Sequence, residues 1–323
     1  MTEVLDMGVR NPDFVENSDE VPSNFISGTA VQFAWDSTSL GDFKRCPQLY
    51  KYKYIDGWRS KEENIHQRFG GEYHQCMADY QKEKAAGIPH DDAVFDVVKA
   101  LMFRINDWRP EHKYKNRLNL LQCVIGYLDA HENDKVQVVL KNDGTPMVEL
   151  SFRFEIELMC TADQPYVLCG HMDDIVKFNS DYFVRDHKTG KETLNYAYWK
   201  KFEPHNQMTL YTIASRVVLE KPAKGVIIDA NQVLLTHPFT EQARGMTYRT
   251  EEQLEEWMGD LEMWLNTAEF YATSGRWPKN EESCHHWGGC PFRDVCASTP
   301  AVRDTMLQSD FEKGEIWNPL KPR

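Results

Sequence analysis

One apolar run of this chain ends in an acid, a lysine and a turn: Asp186, Lys188 and Thr189-Gly190 in VRDHKTG. Side chains alternate along a strand, so Asp186 and Lys188 project to one side and His187 to the other. One apolar run earlier, GHMDD sets Gly170 three residues before Asp173. A hairpin between these runs brings Asp173 and Asp186 together. Two convergent carboxylates repel unless a cation sits between them, and oxygen donors suit Mg2+ or Mn2+. A lysine beside such an ion can orient water, help lower its pKa, or offset charge building on a phosphate. Gly190 lets the chain turn away and leave the site open. Taken alone, D-x-K reads more simply as a solvated surface hairpin. The upstream aspartate makes the chemical reading competitive.

Three further residues bear on it. Gln207 and Tyr211 lie four apart in the helical segment that follows, so they share a face and can hold the lysine or a phosphate. His74, in GGEYHQCM, lies midway along an early helical segment as a candidate third metal ligand. Each of the three, taken singly, is more simply an ordinary helix residue.

As a set, Gly70-x-x-x-His74, Gly170-x-x-Asp173, Asp186-x-Lys188-Thr189-Gly190 and Gln207-x-x-x-Tyr211 resemble the PD-(D/E)XK nucleases of RecB type. Those include the nuclease modules of bacterial recombination helicase-nucleases and the CRISPR-associated exonucleases. The resemblance runs over about residues 37–297. It implies that His74, Asp173 and Asp186 bind the metal, that Lys188 is catalytic, and that Gln207 and Tyr211 support it. Glu149 in VELSF resembles an acid that precedes the G-x-x-D strand in the family. Asp174 adjoins Asp173, and the spacing favours Asp173. The activity implied is a Mg2+- or Mn2+-dependent DNA exonuclease acting at single-stranded ends. The roles implied are recombination, end processing or CRISPR adaptation, with the corresponding proteins as partners. No G-x-x-x-x-G-K-[ST] motor signature accompanies it, which fits a stand-alone, phage-encoded nuclease. The competing class is a non-catalytic, metal-stapled DNA- or protein-binding adaptor on the same fold. A serine acyl-enzyme is set aside, because no upstream S-x-x-K accompanies K-T-G.

The elements that must position these residues follow from periodicity. Helical patterns are expected near 37–56, 66–86, 91–107 and 116–133, then strands at 136–140, 147–158, 166–178 and 182–189. A helix at 204–220, strands at 225–235 and 244–249, and a helix at 251–273 follow. In the second strand Leu150, Phe152, Phe154, Ile156 and Leu158 alternate with Glu149, Ser151, Arg153, Glu155 and Glu157. That order suggests an α/β fold with a helical N-terminal addition. The resemblance sharpens it to a restriction-endonuclease-like core, a mixed central sheet flanked by helices. The expected divisions are an acidic flexible tail over 1–28, a helical region over 29–135, the nuclease core over 136–250, a helix and metal-cluster segment over 251–299, and a tail over 300–323.

Eight cysteines without a secretory leader argue against a disulfide framework and for a cytoplasmic protein. Cys76, Cys123, Cys160 and Cys169 sit among apolar residues as core fillers. Cys284, Cys290 and Cys296 crowd one short segment, where a metal needs a fourth ligand from His285, His286 or the remote Cys46. One branch of the resembling family binds a [4Fe–4S] cluster with an N-terminal cysteine and a C-terminal trio. Here the interval from Cys290 to Cys296 matches and that from Cys284 to Cys290 is longer than the family form. Zinc is the alternative occupant. Either would clip the two ends of the chain together.

A net charge of −13 speaks against a broad nucleic-acid-coating surface. Cations are nonetheless concentrated in KRCPQLYKYKYIDGWRSK, where Lys44, Arg45, Lys51, Lys53, Arg59 and Lys61 lie among Tyr50, Tyr52, Tyr54 and Trp58. Such a segment is expected either to guide a single strand by stacking and charge or to bury its aromatics as a helix face. No run of eighteen apolar residues is present, and no membrane partner is expected.

Overall fold

The computed structural model describes residues 9–14, 21–110, 112–219 and 223–322, without the side chains of 11–14 and 286–288. The elements in chain order are β1 (Val9–Phe14), β2 (Ala34–Trp35), α1 (Ser37–Arg45), α2 (Pro47–Tyr50), a π-helical turn (Lys51–Ile55), β3 (Trp58–Ser60), α3 (Ile65–Ala85), α4 (His90–Arg104), α5 (Arg117–Ala130) and β4 (Gln137–Val138). There follow β5 (Val148–Met159), β6 (Pro165–Phe178), β7 (Asp181–Gly190), α6 (Tyr196–Lys200), α7 (Asn206–Leu219), β8 (Ala223–Val233), β9 (Thr240–Tyr248), α8 (Glu251–Ser274), a 3-10 helix (Glu281–Gly288), α9 (Arg293–Ala297), α10 (Pro300–Asp310) and β10 (Phe311–Lys313). None of the described helices is long and apolar enough to cross a membrane.

The fold is mixed α/β. Among the described residues, eight strands form one sheet in the order β1-β5-β6-β7-β8-β9, with β2 and β4 also pairing β6. Strands β5, β6 and β7 form an antiparallel meander. The chain then crosses over through α7 and lays β8 parallel to β7, and β9 returns antiparallel. The expected alternation in β5 is seen: Leu150, Phe152, Phe154 and Ile156 are buried in the main core with Met208, Ile213 and Leu265. Helices α3, α4 and α5 pack together around Phe69, Tyr73, Leu101, Leu120 and Val124.

Two local expectations differ from the structure. Residues 1–8 and 15–20 of the segment expected as a tail lie outside the described residues, but Val9–Phe14 pairs antiparallel with β5 as a sheet edge. The single helix expected over 37–56 breaks at Cys46, which is extended (φ −165°, ψ 112°) because Pro47 follows. After the break the chain restarts as α2 and underwinds into the π turn.

The early chain is held by the late chain. Strand β3 pairs with β10. The Gln48 N–H donates to the Pro278 carbonyl at 3.1 Å. The Arg45 carbonyl accepts from Asn280 Nδ2 (2.9 Å) and Ser283 Oγ (2.7 Å), and Trp317 Nε1 donates to Asp36 at 3.1 Å.

Candidate active site

The ladder between β6 and β7 pairs Asp174 with Arg185. The next positions, Asp173 and Asp186, fall on the opposite face by strand alternation. Both carboxylates are buried. Asp173 accepts the His187 backbone N–H through Oδ2 at 2.8 Å, and its Oδ1 lies 3.2 Å from His74 Nδ1. His74 Nε2 lies 2.9 Å from the His187 carbonyl, to which it donates. Burial pulls the His74 imidazolium down, but the carboxylates of Asp173 and Asp186 outweigh it and lift it to about 9. Asp173 is correspondingly held below the usual carboxylate range: burial opposes this, and the His74 and His187 interactions prevail.

Glu149 completes this end of the site. Its φ of +48° places a non-glycine residue in the left-handed region at the start of β5, a strain of order 1 kcal/mol that is typical of functional positions. Ligand atoms of His74, Glu149 and Asp173 all lie within 4.8 Å of one another.

Lys188 sits at the other end. Its Nζ lies 3.0 Å from Asp186 Oδ1 and 2.9 Å from Gln207 Oε1. Gln207 Nε2 donates to the Tyr211 hydroxyl at 3.1 Å, and that hydroxyl donates to the His171 carbonyl on β6. The amide thus passes orientation from the sheet backbone to the ammonium. Burial lifts the Asp186 carboxyl, Lys188 opposes, and the facing Asp173 adds to the rise. The buried Asp186 carboxylate is ion-paired with Lys188, whose Nζ lies 2.7 Å from Oδ2. One imidazole and two carboxylates whose ligand atoms converge, His74, Glu149 and Asp173, fit a hard divalent cation. Binding one at neutral pH must displace the His74 proton. His74, Glu149 and Asp173 therefore converge, while Asp186 is held by Lys188 beside them.

Asp174 belongs to the other face. Arg185 donates to its Oδ2 through Nε at 2.8 Å, and His187 Nε2 lies 3.2 Å from the same oxygen. Arg244 donates to Asp229 and, through Nη1 and Nη2, to Asp134 at 2.9 and 2.7 Å. Tyr127 also donates to Asp229. This largely buried network lies on the face of β6 and β7 opposite Asp173 and Asp186, and no sequence cue pointed to it beyond the alternation that turns His187 that way. Burial raises Asp134, Asp174 and Asp229, but their arginine and histidine partners win and hold all three below the usual range. Carboxylates depressed in the folded state add stability above their unfolded pKa of about 4, and that stability is lost as pH falls. The melting temperature should therefore drop steadily below about pH 5. A melting temperature unchanged down to pH 3 would contradict the network's contribution.

The tyrosine-lysine segment is not a stacking surface. Tyr50 and Tyr54 are fully buried, and Tyr50 stacks on Trp35, Tyr54 and Trp277. Tyr52 packs on Phe292. Lys53 pairs with Asp42, Lys51 with Asp56 and Arg59 with Glu312. Lys44 donates to Asn206 and Lys61 to the Ser309 carbonyl. The break at Cys46 and the π turn rotate the aromatics inward. Two residues near the lysine had no sequence signal: Lys115, whose buried Nζ donates to the Thr189 carbonyl and hydroxyl at 3.1 and 3.0 Å, and His205. Burial, then Lys188, Arg249 and Lys201, push His205 down to about 4.

Cys76, Cys123, Cys160 and Cys169 are buried as expected of core residues. Cys46, Cys290 and Cys296 share a small apolar cluster with Phe292 and Leu307. The Cys290 N–H donates to the Cys284 carbonyl at 3.0 Å. Burial raises the Cys290 thiol, and neighbouring Cys46 and Cys284 add to the rise. Cys296 is raised by burial, with Cys290 and Cys46 adding and Lys279 opposing. Among the described residues, no three of these sulfurs lie within 4.8 Å of one another. The side chain of His286 lies outside the described residues.

A family model, that of the PD-(D/E)XK nuclease superfamily, matches residues 35–297. Comparison with curated proteins finds no significant match. Among solved structures, the Eubacterium rectale protein named "Putative exonuclease" is 12% identical with a TM-score of 0.47, covering 84% of this chain and 92% of its own. The protein named SSO0001 is 13% identical with a TM-score of 0.32, covering 85% and 90%.

Proposed function

Because the chain belongs to the PD-(D/E)XK nuclease superfamily, we propose that it is a Mg2+- or Mn2+-dependent deoxyribonuclease. It hydrolyses phosphodiester bonds at single-stranded DNA ends, in recombination, end processing or a CRISPR-adaptation-like role. The observation that supports this reading is the line of side chains from His74, Glu149 and Asp173 to Asp186, Lys188 and Gln207 along one face of β6 and β7. His74, Asp173 and Asp186, with Glu149, would hold the divalent ion. When bound, that ion supplies Lewis-acid polarisation of the phosphate and a lower pKa for water. Lys188, beside Asp186, orients the attacking water and offsets charge growing on the phosphate. Gln207 and Tyr211 fix the lysine's direction. The test is hydrolysis of an end-labelled single strand. EDTA should abolish it and Mn2+ or Mg2+ should restore it. A pure protein that binds the strand but never cuts it, with any divalent ion, would favour the adaptor reading.

Cys46, Cys284, Cys290 and Cys296 are proposed to hold a [4Fe–4S] cluster, or zinc in its place, as a clip between early and late chain. Thiolate donors suit both, and closing so long a loop is where a clip gains most. Cys46→Ala should lose the bound metal and melt at least about 5 °C lower. Iron and zinc analysis of anaerobically purified protein checks this. Absence of both metals from the wild type would remove the clip and leave the nuclease reading standing.

A further inference from the structure

Five basic side chains gather beyond the open end of β7. His66 is on the first turn of α3. His112, Lys113 and Lys115 lie in the connection before α5, and Lys191 follows Gly190. The rings of His66 and His112 meet edge-on at 5.2 Å. His66 is pushed down by burial and then by His112, Lys115 and Lys191, so all four share one neighbourhood. Two ammonium groups lie near the Tyr114 ring, Lys113 Nζ 5.9 Å and Lys191 Nζ 5.8 Å from its centroid.

Several cations elsewhere are paired: Lys51 with Asp56, Lys53 with Asp42, Arg59 with Glu312, Lys200 with Glu203 and Lys201 with Glu192. Among the described residues, none of His66, His112, Lys113, Lys115 and Lys191 forms an ion pair with a carboxylate. Lys115 is 5% exposed. It spends its hydrogen bonds on Thr189, the residue after Lys188, and lies over the Phe69 ring at 4.0 Å. In a chain of net charge −13, such a cluster concentrates positive potential at one point.

We propose that this patch is a backbone subsite for the single-stranded substrate, gripping it one to two nucleotides from the scissile phosphate. Lys113 and Lys191 take phosphate charge, Lys115 holds Thr189 in place beneath them, and Tyr114 offers its face to an unstacked base. The distance follows from the scaffold. His66 precedes His74 by eight helical residues, about 12 Å, and Lys191 follows Lys188 by three residues, at most about 10 Å. The subsite rests on the nuclease reading above, because it needs a strand already engaged at Lys188.

The test measures binding in EDTA, where nothing is cut, of a labelled single strand of about 12 nucleotides and of a dinucleotide. Wild type should bind the longer strand much more tightly. The double variant Lys113→Gln/Lys191→Gln should lose about tenfold of that gain, and the slope of log K against log salt should shallow by about 0.7 per lysine. Both lysines are exposed, so the variant should fold; circular dichroism checks it, and Lys99→Gln on α4 serves as the remote control. Tyr114→Leu should weaken the longer strand without changing the salt slope. Unchanged affinity and slope in a folded double variant overturn the subsite while wild-type cleavage keeps the nuclease reading. An equal loss on duplex DNA overturns the single-strand assignment. A wild type that neither binds nor cuts DNA removes both.

Discussion

Asp186→Asn is expected to lower DNA hydrolysis by at least about 10³-fold while leaving the protein as stable as before, or more so. The carboxyl is buried, faces Asp173, and is lifted by its surroundings. Its negative charge is therefore disfavoured in the empty site and wanted only for a cation. Asparagine keeps an oxygen for Lys188, 3.0 Å away, and removes the charge. A stabilising residue would show the reverse pattern, with activity retained and melting lowered. Initial rates in Mn2+ and thermal melting of the same preparation read both quantities. A variant within tenfold of wild-type activity would remove Asp186 from the site.

Adjacent aspartates should fail in opposite ways. Asp174→Ala leaves the Arg185 guanidinium, 2% exposed, without its main partner. Uncompensating a buried ion in this way costs about 3–5 kcal/mol, or roughly 10 °C of melting temperature for a domain of this size. Asp173→Asn, one residue away, should abolish hydrolysis and spare the fold more, because its partner His74 can give up its proton while Arg185 cannot. Chemical denaturation separates the two. Equal stability of Asp174→Ala and wild type would show that Asp134 takes over Arg185, whose Nη1 already lies 3.9 Å from it.

Strand alternation was enough to place Asp186 and Lys188 together and to turn His187 away, and the G-x-x-D motif of the resembling family favoured Asp173 over Asp174. The meander and the face of Gln207 and Tyr211 were legible for the same reason: each depends on local periodicity. What depends on long-range pairing was not. Nothing in residues 9–14 announces an edge strand, because its partner Glu155–Ile156 lies far along the chain. The tyrosines of 50–54 read equally well as a stacking surface or a buried face, and only the docking of Trp277 and Phe292 decides between them. Glu149 was found through family resemblance, but its left-handed backbone had no sequence mark. The network of Arg185, Arg244, Asp134, Asp174 and Asp229 joins four strands and a loop, so no single stretch of sequence contains it.

The hold of the last fifty residues on Asp36–Ile55 has a consequence for biosynthesis. A ribosome delivers the Tyr50–Tyr54 aromatics early, and the Pro278 carbonyl, Asn280 and Trp317 that dock this segment arrive hundreds of residues later. Through that interval a greasy, unfinished surface is exposed in the nascent polypeptide, the kind of surface that chaperones bind. Truncating the gene near codon 275 should therefore yield insoluble product, even though every proposed catalytic side chain has already been made.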